Sequence, residues 1–428
     1  MASISSPSPA RTTASESGSP SYTAPLIVLT SLFFMWGLIT SLNDILIPHL
    51  KSIFTLSYVQ VMLIQFCFFG AYLVMSFPSG YLVERFGYRH GIIIGLSTAG
   101  VGCLMFYPAA GMASYAFFLG ALFVLASGIT LLQVAANPYV AVLGRSETAS
   151  SRLNLTQAFN SLGTTIGPFV GSMLILTAAS AAGGGDAARA VDEARTVQMP
   201  YLGLAAALFL IALAFSQFHL PSIAATTESA ESGVAPADLP SVWSFRHLVL
   251  GAVGIFMYVG AEVSIGSFLV NFMARPEIAG LSESAAGKYL SLYWGGAMIG
   301  RFIGAAVLRK VKPGYVLAFN AAMVVLLLAL AMASGGMLAM WAVIAIGLFN
   351  SIMFPTIFTL AIDGLGPRTG EGSGVLCMAI VGGALVPVLQ GYVADITGIL
   401  PSFIIPLVCY LYIVHYGVSG HRRQAVVR

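Results

Sequence analysis

The chain has 428 residues, 58% of them hydrophobic and 8% charged, with a formal net charge of +3 and a mean hydropathy of +0.89. Soluble domains carry roughly 25% charged residues, so this chain cannot build a water-facing surface, and its excess apolar area must face lipid. Long unbroken apolar runs exclude a β-barrel, whose short strands alternate apolar with polar residues, and so small a net charge gives no reason to expect nucleic acid.

Residues 1–23, rich in Ser, Ala, Pro and Thr, have no basic stretch leading into an apolar run and cleavage site, so they predict a disordered cytoplasmic tail rather than a signal peptide. Apolar runs then predict spans near 24–50, 57–82, 90–109, 113–143, 153–178 and 199–218. A polar cytoplasmic linker follows at 219–245. Six more spans are predicted near 246–273, 284–308, 313–334, 337–362, 370–396 and 400–417, before a cytoplasmic tail at 419–428. Each run reaches or approaches the ~20 residues that cross the hydrocarbon core. The expectation is an all-α membrane protein with six-helix bundles at 24–218 and 246–418.

With the N-terminus inside, fourteen of the nineteen Lys and Arg residues fall on the cytoplasmic side and five outside, which fixes the orientation and places both termini in the cytoplasm. The halves also echo each other. FMWG at 34–37 pairs with FMYVG at 256–260, and Asn137-Pro138 with Phe354-Pro355. IGPFVG at 166–171 pairs with VPVLQG at 386–391, and GYLVERFGYRHG at 80–91 with GAAVLRKVKPG at 304–314. The offsets all fall between 217 and 224. Duplicated halves of this kind place a binding site at the midplane between them.

Polar residues within the spans are the functional candidates, because a charge at the bilayer centre costs at least ~2.5–3.5 kcal/mol. In the first span Trp36, Thr40 and Asp44 recur every four residues and share a face, with Asn43 beside it. Asp44 reads either as a proton carrier or as an acid snorkelling to the outer interface near His49 and Lys51. Gln133 and Asn137 share a face of the fourth span; Gln157, Asn160 and Thr164 share one of the fifth. Amides match sugar hydroxyls in offering both donors and acceptors, although ordinary interhelical hydrogen bonding explains any one of them as well.

In the seventh span Tyr258 and Glu262 share a face, and Glu262 reads either as a second proton or cation group or as part of an outer gate. Trp294, Asn320, Asn350 and Gln390 are further buried candidates, whereas Asp363 and Asp395 near helix ends read as solvated acids. Glu84, Arg85, Arg89, Arg301 and Arg309 are assigned to cytoplasmic gating loops, with Glu84, Arg85 and Arg89 expected to lock helices by charge pairing.

Glycine stripes at Gly163, Gly167, Gly171 and at Gly296, Gly300, Gly304 predict close helix contacts. Cys67, Cys103, Cys377 and Cys409 lie in apolar runs at no metal spacing and read as buried free thiols. No metal or cofactor motif stands out, and no histidine is placed to activate a nucleophile, so an enzyme is not expected.

GYLVERFGYRHG resembles the loop signature of the major facilitator superfamily, and LRKVKPG its degenerate copy. NDILIPHLK (43–51), QVAANPYVAVLG (133–144), RLNLTQAFNSLG (152–163) and GAEVSIGSFLVNF (260–272) resemble the fucose–galactose–glucose:proton symporter branch. The resemblance implies two bundles rocking about a central sugar site in a bacterial-type inner membrane. It implies Asp44 as the proton-linked acid, Trp36, Gln157 and Asn160 as cavity residues, and glycine-striped fifth and eighth spans facing each other. The L-fucose members carry a second acid in the fourth span where this sequence has Gln133, which moves the expected substrate toward glucose or galactose and leaves coupling to Asp44, or to Asp44 with Glu262.

The expected function is proton-coupled hexose uptake by alternating access, with no cofactor, a sugar and the lipid bilayer as partners, and a functional monomer. The proposed sugar contacts are Trp36, Asn43, Gln133, Asn137, Gln157, Asn160, Tyr258 and Asn350. A sodium-coupled or uncoupled carrier of another sugar, and a non-transporting sugar sensor, are the competing classes.

Overall fold

The computed structural model describes the backbone of residues 23–54, 58–112, 114–179, 198–217 and 240–422, and the side chains within these segments except at 42–54, 58–62, 65, 168–179 and 283–284. The expected tail at 1–22 and most of the expected linker lie outside the described residues, apart from a short turn at Val242–Ser244.

The described residues are almost wholly helical. The helices are α1 (Thr23–Phe54), then a long helix Tyr58–Gly111 whose dihedrals turn non-helical at Gly87 (φ 80, ψ 164). Only glycine adopts that conformation readily, so the helix breaks there into α2 (58–86) and α3 (88–111). There follow α4 (Tyr115–Val142), α5 (Ala149–Ala179), α6 (Gln198–Gln217), α7 (Arg246–Ala274), α8 (Glu283–Val307) and α9 (Pro313–Ala333). The last three are α10 (Gly336–Ile362), α11 (Gly366–Thr397) and α12 (Ile399–Gly420). Ten described stretches are long and apolar enough to span a bilayer; splitting the second at Gly87 and adding α5 gives the twelve expected. Helices α1–α6 pack as one bundle and α7–α12 as the other.

The duplicated FM…G strings mark close helix crossings. A Cβ on Gly37 of α1 would lie 2.0 Å from the Asn160 carbonyl oxygen of α5, and one on Gly163 of α5 would lie 2.2 Å from that of Phe34. In the second bundle a Cβ on Gly382 of α11 would lie 2.1 Å from the Phe256 carbonyl oxygen of α7. The repeated Phe and Gly are thus the two sides of one backbone-to-backbone crossing, built once per bundle.

The same geometry corrects the expected seam between α5 and α8. These helices do pack together, through Phe159 against Phe302 and Thr165 against Met298, but not through their glycines. Gly163 and Gly167 face α1, while Gly300 and Gly304 face Leu348, Ser351 and Ile352 of α10. The glycines that do lie between the bundles are on α2 and α11, where a Cβ on Gly80 would lie 3.1 Å from the Gly370 carbonyl oxygen and one on Gly374 2.7 Å from that of Ser76.

Cysteines 103, 377 and 409 are buried as free thiols, whereas Cys67 is half-buried.

Candidate functional site

Proline places the central polar groups. It has no N–H, so the carbonyl four residues before it loses its helical partner and needs another inside the membrane. Pro355 frees the Ser351 carbonyl, and α10 breaks at Ser351–Ile352. Arg301 of α8 donates from Nε to that carbonyl at 3.1 Å. Pro138 frees the Val134 carbonyl of α4 in the same way, and Ser373 of α11 donates its hydroxyl to it at 2.9 Å. The matched prolines of the two halves therefore each create an acceptor, and each acceptor holds a second helix.

Around the α10 break lies a buried network. Tyr258 Oη lies 2.7 Å from Glu262 Oε1 and 3.0 Å from the Asn350 carbonyl. The Asn350 side chain donates to Tyr293 Oη at 2.8 Å and accepts from Tyr410 Oη at 2.7 Å. Glu262 is half-buried, and Arg301, Tyr258, Tyr293 and Tyr410 all lie within its electrostatic reach. Arg301 also donates to Ser161 Oγ of α5, which ties this charged group to the other bundle.

In the first bundle the described polar groups near the centre are amides and a phenol. Gln133 donates to Tyr72 Oη at 2.7 Å, Gln157 donates to Asn137 Oδ1 at 3.4 Å, and Asn160 donates to the Phe33 carbonyl at 2.9 Å. Asn137 Nδ2 is buried with no hydrogen-bond partner among the described residues, an open donor beside Gln157.

Several sequence expectations are altered by these positions. Arg301 is not in a cytoplasmic loop: it lies six residues inside the end of α8, about 9 Å along the helix axis. A count of basic residues cannot distinguish a loop arginine from one buried near a helix end. Trp294 is not buried but 42% exposed. Asn350 is fully buried with both ends of its amide engaged, so in this conformation it orders the network rather than meeting a solute. Trp36 lines a small apolar pocket with residues such as Leu96, Ile129 and Leu208, inside the first bundle, and Thr40 bonds back to the Trp36 carbonyl of its own helix. The side chains of Asn43 and Asp44 lie outside the described residues.

The expected charge pairing of Glu84, Arg85 and Arg89 is replaced by other contacts. Glu84 accepts from the Glu371 N–H near the start of α11 at 3.4 Å, where a carboxylate is favoured by the helix dipole. Arg85 lies over the Phe86 ring, and Arg89 donates to the Ser216 carbonyl of α6. Arg309 lies in the turn after α8.

Tyr72, Ser161, Tyr293 and Tyr410 escaped the sequence reading because a tyrosine or serine in an apolar run looks the same whether it packs or bonds. The break at Pro355 was the available signal for the contact to Ser351.

The bundles close together at one end, the end bearing Arg85, Arg145, Arg309 and Arg368. There Ser150 meets Thr359 at 2.6 Å, Asn154 donates to Thr356 at 3.3 Å, and Ser151 bonds the Ala305 carbonyl. The sequence of residues 28–380 matches the Major Facilitator Superfamily model. The chain belongs to that superfamily. It is 56% identical over 406 residues to the glucose/galactose transporter of Brucella abortus, covering 95% of this chain and 96% of that one. The crystal structure of an E. coli fucose:proton symporter variant, FucP, superposes with a TM-score of 0.85 at 33% identity, covering 94% of this chain and 99% of that one. FucP in the outward conformation superposes with a TM-score of 0.83 at 33% identity, covering 93% and 99%. Members of this superfamily with such relatives are transporters, not enzymes.

Proposed function

We propose that this protein is a proton-coupled carrier of glucose and galactose that works by alternating access, with Glu262 as a proton-binding group. The observation that carries the reading is the Glu262 carboxyl, hydrogen-bonded to Tyr258 and within reach of an arginine that bonds the opposite bundle. The substrate follows from the glucose/galactose transporter at 56% identity, and proton coupling from the likeness to a fucose:proton symporter.

The chemistry turns on one hydrogen. Tyr258 has a single hydroxyl proton and two acceptors, the Glu262 carboxylate and the Asn350 carbonyl. When Glu262 is ionised, that proton belongs to the carboxylate. When Glu262 takes a proton, its own O–H donates to Tyr258 Oη, and the tyrosine hydrogen turns to Asn350 at the break in α10. Protonation also removes the charge that Arg301 faces, so the guanidinium is held by Ser161 and Ser351 alone. A neutral acid can be enclosed when the bundles rock; an ionised one without its partner cannot. A proton crossing 100 mV contributes ~2.3 kcal/mol to accumulation.

The Arg-rich end faces the cytoplasm by the positive-inside rule, with both termini there, and the closed contacts at that end fit an outward-facing conformation. The protein acts as a monomer in the inner membrane. Asp44 of α1 is the second proton candidate. The sugar meets Gln133, Asn137, Gln157 and Asn160, with Asn137 Nδ2 free to bond it once the site rearranges.

Uptake into proteoliposomes with and without an imposed pH gradient tests the reading. In Glu262→Gln, and separately in Asp44→Asn, sugar counterflow should persist while gradient-driven accumulation disappears. Accumulation that survives in Glu262→Gln removes that residue from the coupling. Wild-type sugar binding without any flux identifies a sensor instead.

A further inference from the structure

Trp294 is a large aromatic residue, 42% exposed, in the middle of a helix whose neighbouring faces are all accounted for. Leu292, Ile299 and Ile303, at 49%, 53% and 54% exposure, form the lipid-facing stripe of α8. Gly300 and Gly304 press on α10, and Met298, Phe302 and Ala305 meet α5. With roughly 100° of rotation per residue, Trp294 points about 200° away from Leu292, on the same side as Met298 and Arg301. Its exposed surface therefore opens onto the space between the bundles, not onto lipid.

Its height is fixed from two sides. A Cβ on Gly266 of α7 would lie 3.1 Å from Trp294 Cζ2, so the indole rests against α7 at that glycine. Gly266 is one turn beyond Glu262, toward the end opposite the arginine-rich one. Trp294 is likewise two turns, about 10 Å, beyond Arg301 on α8. The buried Tyr293 ring buttresses the indole edge-on, with centroids 5.1 Å apart and planes at 80°, and Tyr293 is itself anchored by Asn350. The indole is rigidly held, open on one side, and directly outward of the acid.

We propose that Trp294 is a wall of the sugar site, stacking on the apolar face of a pyranose so that the bound ring covers Glu262 from the outer side. This rests on the hexose-carrier reading. Stacking predicts a preference between the two hexoses. The axial O4 of galactose gathers the hydrogens of C3, C4 and C5 on one face, whereas in glucose they alternate between faces, so galactose offers the larger apolar patch. Polar groups of the α4–α5 side then address the hydroxyls.

The test is counterflow of radiolabelled galactose and glucose in liposomes holding the full-length protein. Trp294→Ala should raise KM for galactose roughly tenfold and for glucose about threefold, and Trp294→Phe should raise either by no more than about threefold. Galactose should also change the tryptophan emission of the wild type but not of Trp294→Phe. An unchanged KM for both sugars in Trp294→Ala, or an emission change that persists in Trp294→Phe, overturns the proposal while the carrier reading stands. If Trp294→Ala fails to fold, the emission of Trp294→Phe decides. A wild type with no counterflow of either sugar overturns the carrier reading and this inference together.

Discussion

The two bundles share a backbone plan and, among the described side chains at their centre, differ in charge. Each has a proline-freed carbonyl in its fourth helix, and each has a glycine crossing between its first and fifth. In the first bundle the groups around that plan are amides and a phenol, and the carbonyl of Val134 is bonded by a serine hydroxyl. In the second, an acid and an arginine occupy the corresponding region, and the Ser351 carbonyl is bonded by a guanidinium. Among the described side chains the two halves thus share an architecture, and the charged groups at its centre belong to the second; Asp44, the acid of the first, lies outside them. Neutral groups can read a sugar in any protonation state; a charged pair can report whether a proton has arrived.

The sharpest test of that contrast is Arg301→Met. It leaves the half-buried Glu262 carboxylate without the nearby guanidinium and the Ser351 carbonyl and Ser161 hydroxyl without their donor, and should destabilise the protein by about 3 kcal/mol, seen as a large fall in detergent melting temperature. The double variant Glu262→Gln with Arg301→Met should recover most of the loss, because no charge is left unpaired. A double variant as unstable as the single would show that Arg301 acts through Ser161 and Ser351 rather than through the acid. Next in size are the crossings. Gly163→Ala and Gly382→Ala each push a Cβ into a facing carbonyl and should cost roughly 1–3 kcal/mol apiece. Similar losses in folded yield support equivalent roles in the two bundles, and unequal ones break the symmetry.

Ser373→Ala leaves the Val134 carbonyl without its partner from the opposite bundle and should lower stability by about 1 kcal/mol, with faster labelling of a cysteine introduced at Ser150 as the closed end loosens. Smallest is Tyr72→Phe, which removes one neutral hydrogen bond to Gln133 worth about 0.6 kcal/mol in a membrane. If its melting temperature fell as far as that of Arg301→Met, the distinction between a neutral and a charged half would be lost.

Much of this was legible in the chain. Apolar runs located the twelve spans, and the offset of the repeats paired Pro138 with Pro355. The i, i+4 spacing put Tyr258 on Glu262, as their 2.7 Å contact bears out. What could not be read was direction. Spacing shows that Gly163 and Gly167 share a face but not which helix that face meets, and the answer was α1, not α8. Spacing cannot tell whether Asn350 looks into a cavity or into its own bundle, because that depends on Tyr293 and Tyr410 from distant spans. Composition placed Arg301 with the loop cations because long-range contacts, not local sequence, bury it. The role of Asp44 stays a proposal drawn from family resemblance.

The break in α10 has a consequence for how this membrane helix can change. Replacing Pro355 by alanine would restore an amide hydrogen aimed at the Ser351 oxygen, and the helix would then run on through Ile352. The guanidinium of α8 would compete with that amide for the oxygen it now holds alone. A substitution that straightens and strengthens one helix would thus weaken its hold on its neighbour, and a carrier made locally more regular would become a poorer machine.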